Sequence, residues 1–114
     1  MRLKADEIVA QLQTGANEIR TLDYKGVTVD LYQKKSRQAY SYSAIILDAN
    51  QNTCRKVGFN FSPHQKVRRI TYAVMDTEGY HSTYSNKSIM QHLKVITDAI
   101  AKIWGYDAGD TLHW

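Results

Sequence analysis

The chain has 114 residues, 43% of them hydrophobic and 23% charged, with a formal net charge of +4. That length makes one domain the default and allows a real core without staples, and the composition excludes a disordered or low-complexity chain. Cys54 is the only cysteine, which excludes a disulfide or a thiolate zinc cluster within the chain.

The opening run Met1-Arg2-Leu3-Lys4-Ala5-Asp6-Glu7 does not read as a signal peptide, because two acids stand where its apolar region should begin. No apolar run approaches the roughly 18–20 residues that span a bilayer. A soluble, cytoplasmic protein with no membrane contact and no cofactor is the expectation.

The first element is an amphipathic helix over about residues 4–14, with Ile8, Val9 and Leu12 on one face and Asp6 and Glu7 in the first turn. Residues 17–24 are ambiguous. Ala16, Ile19 and Leu22 continue the helical spacing, but Gly15 weakens a continuous helix by about 1 kcal/mol. Glu18 to Tyr24 reads equally as a strand turned through Lys25-Gly26.

From Val27 to Asp76 the period becomes two. Val27, Val29 and Leu31 form the first run, and Tyr40, Tyr42, Ala44 and Ile46 the second. Val57, Phe59 and Phe61 follow, then Ile70, Tyr72 and Val74. Asp48–Asn52, Ser62–Gln65 and Asp76–Gly79 are turn-rich breaks between runs. The simplest topology is a meander, with residues 80–84 as a further edge strand. Ile89, Leu93, Ile96, Ile100 and Ile103 then draw one apolar stripe along a helix over about residues 87–104. Ser85 or Asn86 suits its N-cap and Gly105 its C-cap. A short tail, 105–114, carries Tyr106, Leu112 and Trp114. The expected fold is α+β: an antiparallel β-meander of about four to five strands, with an N-terminal and a C-terminal helix packed on one face.

Alternation sorts the strands into two faces. One collects the apolar runs above and must be covered by the helices. The other collects Thr28, Asp30, Tyr32, Lys34, Ser41, Ser43, Lys56, Gly58, Asn60, Arg69 and Thr71. Residues 30–72 hold eight cations against two acids, a net +6. An open sheet with cations and an aromatic suits a phosphate backbone with stacked bases. The residues expected to bind nucleic acid are Tyr32, Lys34, Lys35, Arg37, Lys56, Lys66, Arg68 and Arg69. The expected partner is nucleic acid or a nucleic-acid-binding protein machine, and a homodimer would join two such faces into one channel. The order of elements over roughly 27–104 is similar to that of the single-strand-binding transcriptional coactivator and whirly folds. No residue motif carries that likeness.

Two other functions compete. One is a protein-binding inhibitor of phage or mobile-element type (anti-CRISPR-like), anchored by tyrosines and Trp114. The other is a metal-free ribonuclease using His64 beside Lys66, Arg68 and Arg69. No histidine pair has zinc-helix spacing, and the acids and imidazole of Asp76-Thr77-Glu78-Gly79-Tyr80-His81 read better as a polar turn than as a metal site. Cys54, opening a strand, reads as a packed thiol. A non-enzymatic binding domain is the expectation.

Overall fold

The computed structural model describes the backbone of residues 1–36, 39–61, 70–76, 79–81 and 87–105, and the side chains of 1–35, 40–59 and 87–105. The elements are α1 (Ala5–Gln13), β1 (Glu18–Tyr24), β2 (Val27–Ser36), β3 (Ala39–Asp48), β4 (Thr53–Phe61), β5 (Ile70–Asp76), β6 (Gly79–His81) and α2 (Lys87–Trp104). The strands form one antiparallel sheet in the order β1-β2-β3-β4-β5-β6. The expected α+β meander is present, with six strands among the described residues. Glu18–Tyr24 pairs as a strand, and of the expected edge strand over 80–84 residues 80 and 81 pair, while 82–84 lie outside the described residues.

The helix reading of residues 17–24 fails for a local reason. Gly15, at φ +92°, ends α1, and its N–H donates to Leu12 O at 3.1 Å. Lys25 and Gly26 then both take positive φ, at 49° and 80°. Two such residues make the two-residue turn whose twist matches a hairpin. The second hairpin turn is held by Asp48, whose Oδ1 accepts from Asn50 N at 3.0 Å and Gln51 N at 3.3 Å. The tips are tied to each other. Ala49 N donates to Gly26 O at 2.9 Å and Asn50 Nδ2 to Lys25 O at 2.7 Å.

Both helices lie on one side of the sheet. Ile8 and Leu12 from α1 meet Ile89, Leu93, Ile96 and Ile100 from α2 over Val29, Leu31, Tyr42, Ala44, Ile46, Val57 and Phe59. These are the expected core positions. Those at Phe61, Ile70, Tyr72 and Val74 have side chains outside the described residues, as do the α2 N-cap and the tail after Gly105. At the far end of α2, Trp104 Nε1 donates to Tyr42 Oη at 2.9 Å and its ring lies 4.9 Å from that of Tyr40. Among the described residues no helix is long and apolar enough to cross a membrane.

One edge departs from plain alternation. The β1–β2 register shifts between Arg20 and Leu22, so Thr21 is an extra residue and both Thr21 and Leu22 turn inward. The Thr21 hydroxyl donates to Val29 O at 3.2 Å. Its oxygen sits 2.9 Å from Nε2 of His92, which is buried on α2. With the hydroxyl proton given to Val29 O, His92 donates Nε2–H, and Nδ1 is an acceptor with no hydrogen-bond partner among the described residues. Residues 1–3 close the outer edge of β1 through Leu3 N to Thr21 O at 2.9 Å and Asp23 N to Met1 O at 2.7 Å.

Two stability effects follow. Burial, with the Arg2 charge as a smaller cause, lowers the His92 pKa from 6.5 to about 4. The unfolded chain therefore binds the proton more readily, and stability is complete above about pH 6.5 and falls as the pH drops toward 4. About 2 kcal/mol is lost by pH 5. Urea midpoints across this range should show the loss, and His92→Phe should flatten it. At the first hairpin turn, a Cβ on Gly26 would meet Asn50 Nδ2 at 3.0 Å, on a backbone that disfavours any side chain. Gly26→Ala should cost about 1–2 kcal/mol in the same urea measurement.

Candidate nucleic-acid interface

The ladder between β2 and β3 pairs every residue from Val27↔Asp48 to Ser36↔Ala39. Side chains alternate along it, so Val29, Leu31, Gln33 and Lys35 face the helices while Thr28, Asp30, Tyr32 and Lys34 face away. On β3 the outward residues are Ser41, Ser43, Ile45 and Leu47, and on β4 they are Cys54, Lys56 and Gly58. No described element packs on this outer face.

A groove of about 540 Å³ runs across it, lined by Tyr32, Lys34, Ser41, Ser43, Ile45, Lys56 and Gly58, with Asn17, Gln33 and Tyr42 at its margins. Its origin is in the cross-strand pairing. Tyr32 pairs with Ser43 and Ser43 with Gly58, so one large side chain is followed by two small ones in the same row. Tyr32 leans the other way, toward its β1 partner, and donates its hydroxyl to Glu18 Oε1 at 3.1 Å. No described side chain therefore fills the space above Ser43 and Gly58. Among the described residues a Cβ built on Gly58 meets nothing within 4 Å.

Charge around the groove is zoned. Lys34 and Lys56 flank it, both exposed. Arg20 is held by Asp30 through Nε–Oδ1 at 2.7 Å and Nη2–Oδ2 at 3.2 Å. Asp30 in turn raises the Arg20 pKa, by hydrogen bond and by charge. That pair turns its net charge inward on itself and leaves Glu18 and Asp23 as the acids of the β1 rim. Burial first, and the Glu18 carboxylate second, raise the Tyr32 pKa, so the phenol keeps its proton and offers a ring and a donor. The groove thus presents two ammonium groups, two serine hydroxyls, an aromatic ring and the apolar flank of Ile45. This set can hold an anion beside a flat apolar group.

The structure brings together three of the residues expected from sequence: Tyr32, Lys34 and Lys56. It separates Lys35, which points to the helix side and stacks over the Tyr40 ring at 5.7 Å. Its nearness to Lys34 in sequence is undone by the alternation of the strand. Arg55 also lies on the helix-facing register. Arg37, Lys66, Arg68 and Arg69 lie outside the described residues, as does His64, and so do Thr77 and Glu78 of the acid–imidazole segment. Among the described residues no three His, Cys, Asp or Glu side chains gather as a metal site would require.

The basic face is also more mixed than composition implies. Its described charges are Arg20, Lys34 and Lys56 against Glu18, Asp23 and Asp30. The acids of β1 were not assigned to a face by sequence because residues 17–24 had no settled period. Ile45 and Leu47 escaped as apolar members of the outer face, although their alternation with Ala44 and Ile46 already places them there. Leu47 is 43% exposed. Cys54 pairs with Leu47 on this face and is exposed, which corrects the expectation of a packed thiol.

No protein-family model, curated protein or solved structure matches this chain.

Proposed function

We propose that this protein is a non-enzymatic binding domain that takes nucleic acid on the outer face of its sheet. The observation that carries the reading is the convergence of Tyr32, Lys34 and Lys56 on one groove that neither helix covers. Phosphates meet the two ammonium groups, and bases meet the ring of Tyr32 and the flank of Ile45. Affinity of this kind comes largely from counterion release and weakens steeply with salt.

A second reading, a protein ligand for the same face, draws on different features. A hollow of about 380 Å³ beside the groove is lined by Thr28, Leu47, Asp48, Thr53 and Cys54. Exposed Leu47 and the balanced charges of β1 and β2 suit a protein contact better than a phosphate chain. A stoichiometric protein partner that survives nuclease treatment, and that Leu47→Asp releases, would favour this reading.

The nucleic-acid reading is tested by charge reversal with a control on the opposite side. Lys34→Glu with Lys56→Glu should remove two phosphate contacts and flatten the dependence of log affinity on log salt by about 1.4 for a single strand. Lys35→Glu, facing the helices, should bind as the parent does. Fluorescence anisotropy over a salt series measures both. Equal loss in the two variants, or none in the double variant, overturns the assignment of the face.

A further inference from the structure

We infer that the groove is built for a single strand, which crosses the sheet on the diagonal from Lys34 to Lys56 and lays one unpaired base over Gly58. The inference rests on the nucleic-acid reading above and specifies its ligand.

The path follows from where the charges stand. Lys34 pairs with Ser41 and Lys56 with Ile45, so the two lysines are separated by four residues along β3 and by two strands across it. With standard strand dimensions that is about 16 Å between their Cα atoms. The groove floor lies midway, at Ser43 and Gly58. A phosphate chain held at both ends passes over that floor. It is kept off β1 by Glu18 and Asp23, which repel a polyanion, while Arg20 is already occupied by Asp30.

The floor accounts for the base. Gly58 has no positive φ and, among the described residues, no neighbour that a Cβ would strike, so neither turn geometry nor the described packing calls for glycine there. A glycine inside a strand costs stability, and it suits a bulge, a tight bend or a place where a ligand or another backbone comes close; the regular pairing at Gly58 shows no bulge. The slot above it is bounded by Tyr32 on one side and by Ile45 and Lys56 on the other. A flat ring entering this slot meets an aliphatic flank and a backbone without side chain, with the Tyr32 ring at the far margin of the groove. It must be unpaired to enter. A duplex keeps its bases paired and stacked and offers the slot none without the cost of flipping one out.

The test uses the full chain with labelled oligothymidine and oligouridine of about 12 nucleotides, and a duplex of the same length, in fluorescence anisotropy at low salt. The single strands should bind at least about tenfold more tightly than the duplex. Gly58→Val closes the slot while suiting a central strand, so its Tm should equal or exceed that of the parent. It should weaken single-strand binding by about tenfold or more, the size of one lost base contact. Its salt dependence should stay that of the parent, because the lysines are untouched. Ser43→Val fills the same floor from the next strand and should act alike, which guards against a Gly58 variant that fails to fold. Duplex binding as tight as single-strand binding overturns the inference, and so does parental affinity in both folded variants. Either result leaves the nucleic-acid reading of the face standing. Absence of binding to every probe overturns that reading and this inference together.

Discussion

The register of the β2–β3 ladder is the constraint on which both faces of the molecule depend. Ten consecutive pairs hold it, and a slip of one residue would send Val29, Leu31, Ala44 and Ile46 to water and Tyr32, Lys34 and Ser43 into the core. The burial of Val29, Leu31 and Ala44, none of them exposed at all, makes that slip too costly to occur. The hydrophobic effect thus fixes where the polar residues go, although it acts only on the apolar ones. Tyr32 and Lys34 are outward because their neighbours must be inward. Lys35 is inward for the same reason, and it finds the rim of the core and the Tyr40 ring in place of solvent on the open face.

Among the described residues the bulge at Thr21 is where this rule is suspended, and it does a different job. By turning two successive residues inward it supplies a hydroxyl where α2 offers an imidazole. The chain Val29 O, Thr21 Oγ, His92 Nε2 joins the β1–β2 hairpin to α2, 71 residues on from Thr21. It also satisfies polar groups that would otherwise be buried unpaired. The same bulge receives the N-terminal residues through Leu3 N and Thr21 O. Edge strand, terminus and second helix are thus coupled at one irregular point, and the burial of His92 makes that point sensitive to acid.

Much of the architecture was legible in the sequence, and what was not has a physical reason. Period two over Val27–Leu31, Tyr42–Ile46 and Val57–Phe59 matches what is buried, and the isoleucine stripe of α2 matches its inward face. β1 was not legible, because the bulge breaks its alternation and leaves Ile19, Leu22 and Ala16 at a spacing of three that imitates a helix. His92 sits between apolar positions of α2 and carries no sequence mark of burial. Its partner is 71 residues away. At the site, Tyr32, Lys34 and Lys56 could be sorted by parity alone. Lys35 is adjacent to Lys34 in sequence, but adjacency within a strand puts two side chains on opposite faces. The charge balance of the outer face needed the β1–β2 pairing, which brings Glu18 against Tyr32 and Arg20 against Asp30.

The small residues of the outer face carry an argument that the cations alone cannot. Lysines on a solvated sheet protect it from aggregation whatever else they do, so Lys34 and Lys56 fit a bland surface as well as a binding one. Small side chains in central strands have no such general use. β3 and β4 are interior to the sheet, where β-branched and aromatic residues pack best against their neighbours. Placing Ser43 opposite Gly58 there gives up cross-strand contact on that face and leaves an empty groove over a backbone in ordinary strand conformation. Nothing in the turn geometry, the core or the described edges needs that groove. On the reading proposed above, a ligand that approaches the backbone does, and the flanking ring and the two ammonium groups suit one that is flat and anionic.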